Sequence, residues 1–409
     1  MEEPSSESLS RAYALWIERL ALTNFRSYAA ATVVTDAGPQ VIVGANGSGK
    51  TNLLEAISLL SPGQGLRRVP FGDLARAGGD GSFAIAARAH TLAGPADLGT
   101  GLPATPNASS QGGGEFSRVS GRGTSERGRI VRIDGVAQSG SGVLADYLEI
   151  VWVTPAMDGL FTGAASERRR FLDRLILCFD HSYRTIAGRF ERAMTSRNRL
   201  LADGVRDNAQ LSGFEQLMAE NGIAVAAARL EAVAAMAAIV ERRRQRDPDS
   251  AFPWSSFRLE GSIEDSLQQF SAVEAEDHYA RMLRETRERD RAASRTLDGP
   301  HRSDLIVEHG PKALAARHCS TGEQKALLLG LVLAHAELLT ERQEGAAPIL
   351  LLDEITAHLD ADRRAALFEE ILRLGAQAWM TGTDANAFEA LSEKARFWRV
   401  EQGKITIPE

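Results

Sequence analysis

The chain has little of what holds together a secreted or membrane protein. Of 409 residues only Cys178 and Cys319 are cysteine, too few for a disulfide framework and in keeping with a reducing, cytoplasmic compartment. No run of about 18 apolar residues occurs, which predicts no membrane-spanning helix. The N-terminus, MEEPSSESLSRAYA, lacks the basic stretch and apolar core of a secretory signal, so residues 1–14 read as a disordered leader. Excess positive charge is also missing: 47 Lys and Arg against 54 Asp and Glu leave a net charge of -7. A chain basic throughout is thereby excluded, and any nucleic-acid binding must come from local patches. Arg168 to Arg170, Arg242 to Arg244 and the spaced arginines from Arg281 to Arg295 are the densest. Each alone reads first as a solvated helix face. The length suggests about two to three domain-sized units of roughly 150 residues.

What is present centres on GANGSGKT, residues 44–51, which fits the phosphate-loop pattern G-x-x-x-x-G-K-[ST] without a mismatch. An apolar run, Gln40 to Val43, precedes it, and Asn52 to Leu60 carry apolar side chains at helical spacing. The loop therefore joins a buried strand to a helix, as the chemistry requires. Gly44, Gly47 and Gly49 let successive amides point at phosphate oxygens, and the helix adds its positive end. Lys50 suits the β- and γ-phosphates, and the Thr51 hydroxyl suits Mg2+.

Before the loop, LWIERLALTNF and TVVTDAGP read as short strands. FAIAARAHTL and GRIVRIDGV read as the two strands of one antiparallel pair. Residues 94 to 128 between them are crowded with Gly, Pro, Ser, Thr and Asn, and predict a long disordered hairpin loop. From about Ser166 to Gly204 and from about Leu211 to Arg246 the sequence is helical. A strand-like FRLEGSI follows, then a helix from about Val273 to Ser294. Residues 181–295 thus form a helical insertion between two parts of an α/β unit, 15–180 and 296–409. Its longest helix, about 35 residues, extends about 50 Å, a short arm and not an extended coiled coil.

Two further stretches bear on the loop. APILLLDE is a continuous apolar run ending in Asp353 and Glu354, as a buried strand of a parallel sheet should read, and such strand ends hold ligands. One carboxylate there suits Mg2+, and the other suits the water that attacks a γ-phosphate. About thirty residues upstream, Ser320-Thr321-Gly322-Glu323 opens a helix with Ser320 or Thr321 as cap. Its amides make a second anion site.

This conjunction resembles the ATP-binding-cassette ATPases, and within them the SMC-like heads. Leu22 to Tyr28, Gly163 to Asp173, Ser196-Arg197-Asn198 and Gly299 to Leu305 are similar to motifs of the RecF family of bacterial recombination-repair proteins, from about residue 15 to the end. The resemblance implies an SMC-like P-loop ATPase head with an antiparallel β subdomain and an inserted helical arm. It implies that Gly44, Ala45, Asn46, Gly47, Ser48, Gly49, Lys50, Thr51 and Asn52 hold ATP, with Arg26 near the phosphates. Thr51 and Asp353 hold Mg2+, Glu354 is the base, and Ser320 and Gly322 act on a partner copy's γ-phosphate. Asp360 belongs to a loop crossing the dimer interface. The signature STGEQK and the strand AWMTGTD depart from the transporter pattern, the latter having no switch histidine; Thr383 is the candidate in its place. The family further implies an ATP-dependent homodimer on double-stranded DNA near single-strand gaps, work with RecR and RecO in loading RecA, and slow hydrolysis. Arg67, Arg68, Arg242, Arg243 and Arg244 are the candidate DNA contacts. A transporter ATPase subunit, a chromosome tether and a nuclease-fused ATPase are the alternatives, and the short arm and missing histidine weigh against the first two.

Overall fold

The computed structural model describes residues 15–104, 128–180, 182–205 and 207–408. Two compact units divide the chain. The first comprises residues 1–155, 340–357 and 364–409, and the second 156–339 and 358–363.

The first unit holds two six-stranded sheets. One is antiparallel, ordered β2-β1-β4-β5-β6-β7. β1 (Trp16–Phe25) turns through Arg26 and Ser27 into β2 (Tyr28–Val34), with Phe25 opposite Tyr28. β4 (Phe83–Thr91) pairs with β1 on one side and β5 (Gly94–Leu102) on the other, and β6 (Ile130–Ile133) and β7 (Val136–Gln138) follow. This corrects the expected loop. Residues 94–102 form a strand, and it separates β4 from β6, which were expected to pair directly; residues 105–127 of that stretch lie outside the described residues. Gly101 serves close approach and not flexibility: a Cβ there would lie 2.4 Å from the Phe83 carbonyl oxygen. Ala96, Leu98 and Thr100 alternate inward as in any half-buried strand.

The other sheet is ordered β15-β14-β3-β13-β12-β8. It comprises β3 (Gln40–Val43), β8 (Ile150–Val153), β12 (Ile349–Leu352), β13 (Ala378–Gly382), β14 (Arg396–Glu401) and β15 (Lys404–Thr406). All neighbours are parallel except the closing β14–β15 hairpin. β3, β12 and β13 are buried at every position, which is why they read as apolar runs without alternation. Ile17, Phe25, Leu53, Ile57, Leu351, Trp379 and Trp398 belong to one core that both sheets share with the helix after the phosphate loop, α1 (Lys50–Ser58). Gln377 ties the sheets together, accepting from Ile17 N and donating to Ile17 O and Asp36 O.

The second unit is mainly helical and includes the 181–295 segment, extending beyond it on both sides. The first helical stretch breaks in two, α2 (Ala165–Leu177) and α3 (Tyr183–Ala202), where Asp180 accepts from Ser182 N and Tyr183 N. α4 (Asn208–Arg246) has 39 residues, about 58 Å at 1.5 Å per residue. Asp207 caps it, accepting from Ala209 N and Gln210 N. β9 (Ser255–Glu260), α5 (Ser262–Gln269), α6 (Ala272–Glu285) and α7 (Arg287–Ala292) follow, and β9 pairs with β10 (Asp304–His309), beside β11 (Leu314–Ala315). The helix expected from Val273 to Ser294 is interrupted at Thr286. α8 (Thr321–Arg342) carries the signature stretch, and α9 (Ala361–Leu374) follows the carboxylate strand.

One helix of the described residues, α4, is long and apolar enough to cross a bilayer by length and composition alone. Its setting is that of a core helix. Met218, Ile223 and Ala226 pack with Phe190, Tyr279 and Leu283, and Gly222 is flanked by the Tyr279 and Phe190 rings. Its Arg229, 5% exposed, pairs with Asp173 at 2.8 Å.

Candidate phosphate and carboxylate site

In the first unit β3 delivers the loop to α1, whose N-cap Gly49 offers no side chain, so the first-turn amides lack a side-chain acceptor. Gly49 has φ 122°, a conformation other residues rarely adopt, and a Cβ there would meet Ser27 Oγ at 2.9 Å. A Cβ on Gly44 would sit 2.3 Å from Val400 O. Any side chain at these two positions would push the loop off its path. Ser48 Oγ is buried without a hydrogen-bond partner, a polar atom with capacity left for a ligand. Lys50 Nζ donates to Gly44 O at 2.7 Å and Ala45 O at 3.0 Å across the loop. Burial lowers its pKa, partly opposed by the charges of Glu354 and Asp353.

Thr51 Oγ1 lies 3.0 Å from both Asp353 carboxylate oxygens, bringing together two residues 302 positions apart. A hydroxyl beside one buried carboxylate fits Mg2+, which keeps several waters and takes its remaining ligands from substrate phosphates rather than from a protein cage. Glu354 adopts φ 49°, in the left-handed region that bulky residues rarely occupy. Its N–H donates to Thr381 Oγ1 at 2.8 Å, and that hydroxyl donates to Asp353 Oδ1 at 2.7 Å. Sequence reasoning missed Thr381. The available signal was a hydroxyl closing an otherwise apolar strand, AWMTG. Thr383 is exposed.

The Arg26 guanidinium is held by Glu55, one turn beyond Thr51, through Nε at 2.8 Å and Nη2 at 2.9 Å, and its Nη1 donates to Asp73 O. Arg67 reaches the same carboxylate at 3.3 Å and Asn52 Oδ1 at 3.0 Å, and Asn52 donates to Ser27 Oγ. Glu55, 1% exposed, is thus the buried counter-charge for two cations, and it was not singled out from sequence. Arg68 is exposed beside Arg67.

In the second unit Ser320 is the cap: Ser320 Oγ accepts from Glu323 N at 3.4 Å, and Glu323 Oε2 accepts from Ser320 N at 2.9 Å. Lys312 pairs with the other Glu323 oxygen. The Lys312 bond, with the Ser320 amide, holds the Glu323 carboxyl down to about 2. A Cβ on Gly322 would lie 2.5 Å from His358 O, so only glycine lets this helix start meet the stretch before Asp360. Asp360 accepts from Arg363 N at 2.9 Å, capping the start of α9.

The basic clusters are mostly committed to internal partners. Arg168 pairs with Asp304 at 2.7 Å and Arg169 donates to Ser303 O, joining two sequence motifs. Arg243 pairs with Glu337 at 2.5 Å and donates to Leu333 O, while Arg244 pairs with Glu241 and lies 4.9 Å over the Trp254 ring. Arg242 is exposed. Arg197, fully buried, donates to Asp290, Thr296 and Leu283 O and pairs with Glu215.

The chain is similar to known proteins over nearly its whole length. A family model described as the RecF/RecN/SMC N terminal domain matches residues 16–96. The "DNA replication and repair protein RecF" of Mesorhizobium japonicum is 49% identical over 389 residues, 95% of this chain and 97% of that protein. The protein of the same name from Brucella suis is 51% identical over 391 residues, 95% and 96% of the two chains. Among solved structures, the recombination mediator protein RecF-ATP of the RecFOR pathway superposes with a TM-score of 0.75 at 20% identity, covering 97% of this chain and 99% of that one. The Smc head domain from Pyrococcus furiosus superposes at 0.53 and 18% identity, covering 96% of both chains. These two solved structures share the fold, that of an SMC-like ATPase head.

Proposed function

Because this chain belongs to the RecF family of DNA replication and repair proteins, we propose that it is an ATP-dependent clamp on DNA. It binds ATP through residues 44–52, dimerises on doing so, and engages double-stranded DNA near single-strand gaps. In the cytoplasm it works with RecR and RecO to load RecA. The observation that carries this reading is the Thr51 hydroxyl 3.0 Å from both Asp353 oxygens at the uncapped start of α1.

Each residue has a role that its chemistry supports. The loop amides and Lys50 bind the phosphates of the substrate. Thr51 and Asp353 hold Mg2+, which when bound offsets the negative charge of the phosphates. Glu354 orients a water and takes its proton. Ser320 and Gly322 of a second copy complete the site, so ATP becomes part of the dimer interface and closure is linked to binding. Hydrolysis is slow and reopens the clamp. Duplex contact is to phosphates and therefore salt-sensitive, with Arg67, Arg68, Arg242 and Arg244 the exposed candidates.

Light scattering with and without ATP and a gapped duplex tests the reading. The native chain should pass from monomer to dimer with ATP, and Glu354→Gln should remain dimeric on DNA because hydrolysis is blocked. A Glu354→Gln chain that stays monomeric with ATP at about micromolar concentration, where such linkage should act, would refute the sandwich.

A further inference from the structure

We propose that Thr381 is the positioning residue that sets both carboxylates for hydrolysis, an inference that rests on the ATPase reading above. The sheet order is what creates the role. β13 lies between β3, which carries the phosphate loop, and β12, which ends in the carboxylates. The register places Leu352 beside Met380 and Ile42 beside Thr381. The residue at this point of β13 therefore stands between the two halves of the site, and here it is a hydroxyl with no solvent exposure.

A threonine hydroxyl has one proton to give and lone pairs to receive. Thr381 uses both, donating to Asp353 Oδ1 at 2.7 Å and accepting from Glu354 N at 2.8 Å. The first bond fixes one oxygen of Asp353, leaving Oδ2 as the oxygen shared only with Thr51. The second holds the Glu354 backbone at φ 49°, a conformation that persists only where its surroundings impose it. Thr381 touches neither substrate nor metal in this scheme. It acts by aiming one carboxylate at the cation and the other at the attacking water, and the exposed Thr383 has no such contacts among the hydrogen bonds of the site.

The test compares Thr381→Val, Thr381→Ala and Thr381→Ser. In the nucleotide-free protein, exchange of the Glu354 backbone amide should accelerate in Thr381→Val and Thr381→Ala and stay near native in Thr381→Ser. ATP should bind all three within about threefold of native. The kcat should fall about 10- to 100-fold in Val and Ala, since a misplacement of about 1 Å costs about that much, and return within about threefold in Ser. Unchanged amide exchange in Val and Ala, an unchanged kcat, a loss of ATP binding equal to the loss of kcat, or Val and Ala chains that do not fold would each overturn the positioning role. A native chain that binds no ATP would instead overturn the ATPase reading, while the amide exchange would still report whether Thr381 holds Glu354.

Discussion

Glu149 stands immediately before β8, and its replacement by glutamine gives a stability change whose pH dependence follows from the structure. Its carbonyl accepts from Ile349 N at 2.9 Å, so it pins the sheet's edge strand to the carboxylate strand. Its side chain is largely buried, Oε2 has no hydrogen-bond partner, and Gln343 only partly offsets the loss of water. Burial pushes the carboxyl from an ordinary 4.5 up to about 8. Because the folded state holds the proton more tightly than the unfolded state, the stabilisation is complete below the unfolded value and is lost as pH rises through about 8. The shift from 4.5 to about 8, at about 1.36 kcal/mol per pKa unit, corresponds to at most about 5 kcal/mol. Glutamine cannot ionise and nearly matches the shape. Glu149→Gln should therefore differ little from the native chain at about pH 5, gain about 1 kcal/mol per pH unit above that, and level off near pH 9. Urea unfolding of both chains at about pH 5, 7 and 9 measures this, and subtraction cancels the other titrating groups. A difference that is flat with pH, or that favours the native chain in alkali, would refute the argument.

The same physics separates the arginines. Arg197→Ala should cost about 3–5 kcal/mol by urea unfolding, because it takes the nearest cation, at 2.8 Å, from the buried Asp290 and one of two from the buried Glu215, which keeps Arg287. Arg199→Ala, which breaks an exposed pair at 3.8 Å, should stay within about 0.5 kcal/mol. Arg68→Glu should weaken duplex binding and lower the slope of log affinity against log salt by about one unit; unchanged duplex affinity and slope would remove this patch from the DNA interface. Arg67→Glu should also destabilise the fold, since it sets a like charge against Glu55, and a melting temperature equal to native would contradict the shared ion pair.

Much of this was legible because some constraints are local. A phosphate loop is a contiguous backbone device, so GANGSGKT announces it, and the buried strands β3, β12 and β13 are mostly apolar because helices and the second sheet cover both faces of a parallel sheet. The loop expected from residue 94 failed because glycine in a strand and glycine in a coil look alike until the neighbouring backbone is known; Gly101 is small because Phe83 O is close. The arginine runs could be counted but not assigned, since only the fold shows Arg168 meeting Asp304 and Arg243 meeting Glu337. α4 was read as an arm helix by its length, yet its apolar density reflects a helix buried along much of one side.

By itself the sequence determined that a loop of phosphate-binding pattern joins a strand to a helix, that two acids end a buried strand, and that a second helix opens at Ser320. Those are short-range facts, set by spacing along the chain and by the geometry of glycine, helix ends and apolar runs. Only the tertiary structure decided that Thr51 meets Asp353 and that Thr381 stands between the two acids. Neighbours in a parallel sheet are chosen by strand order, and strand order is settled by packing across hundreds of residues.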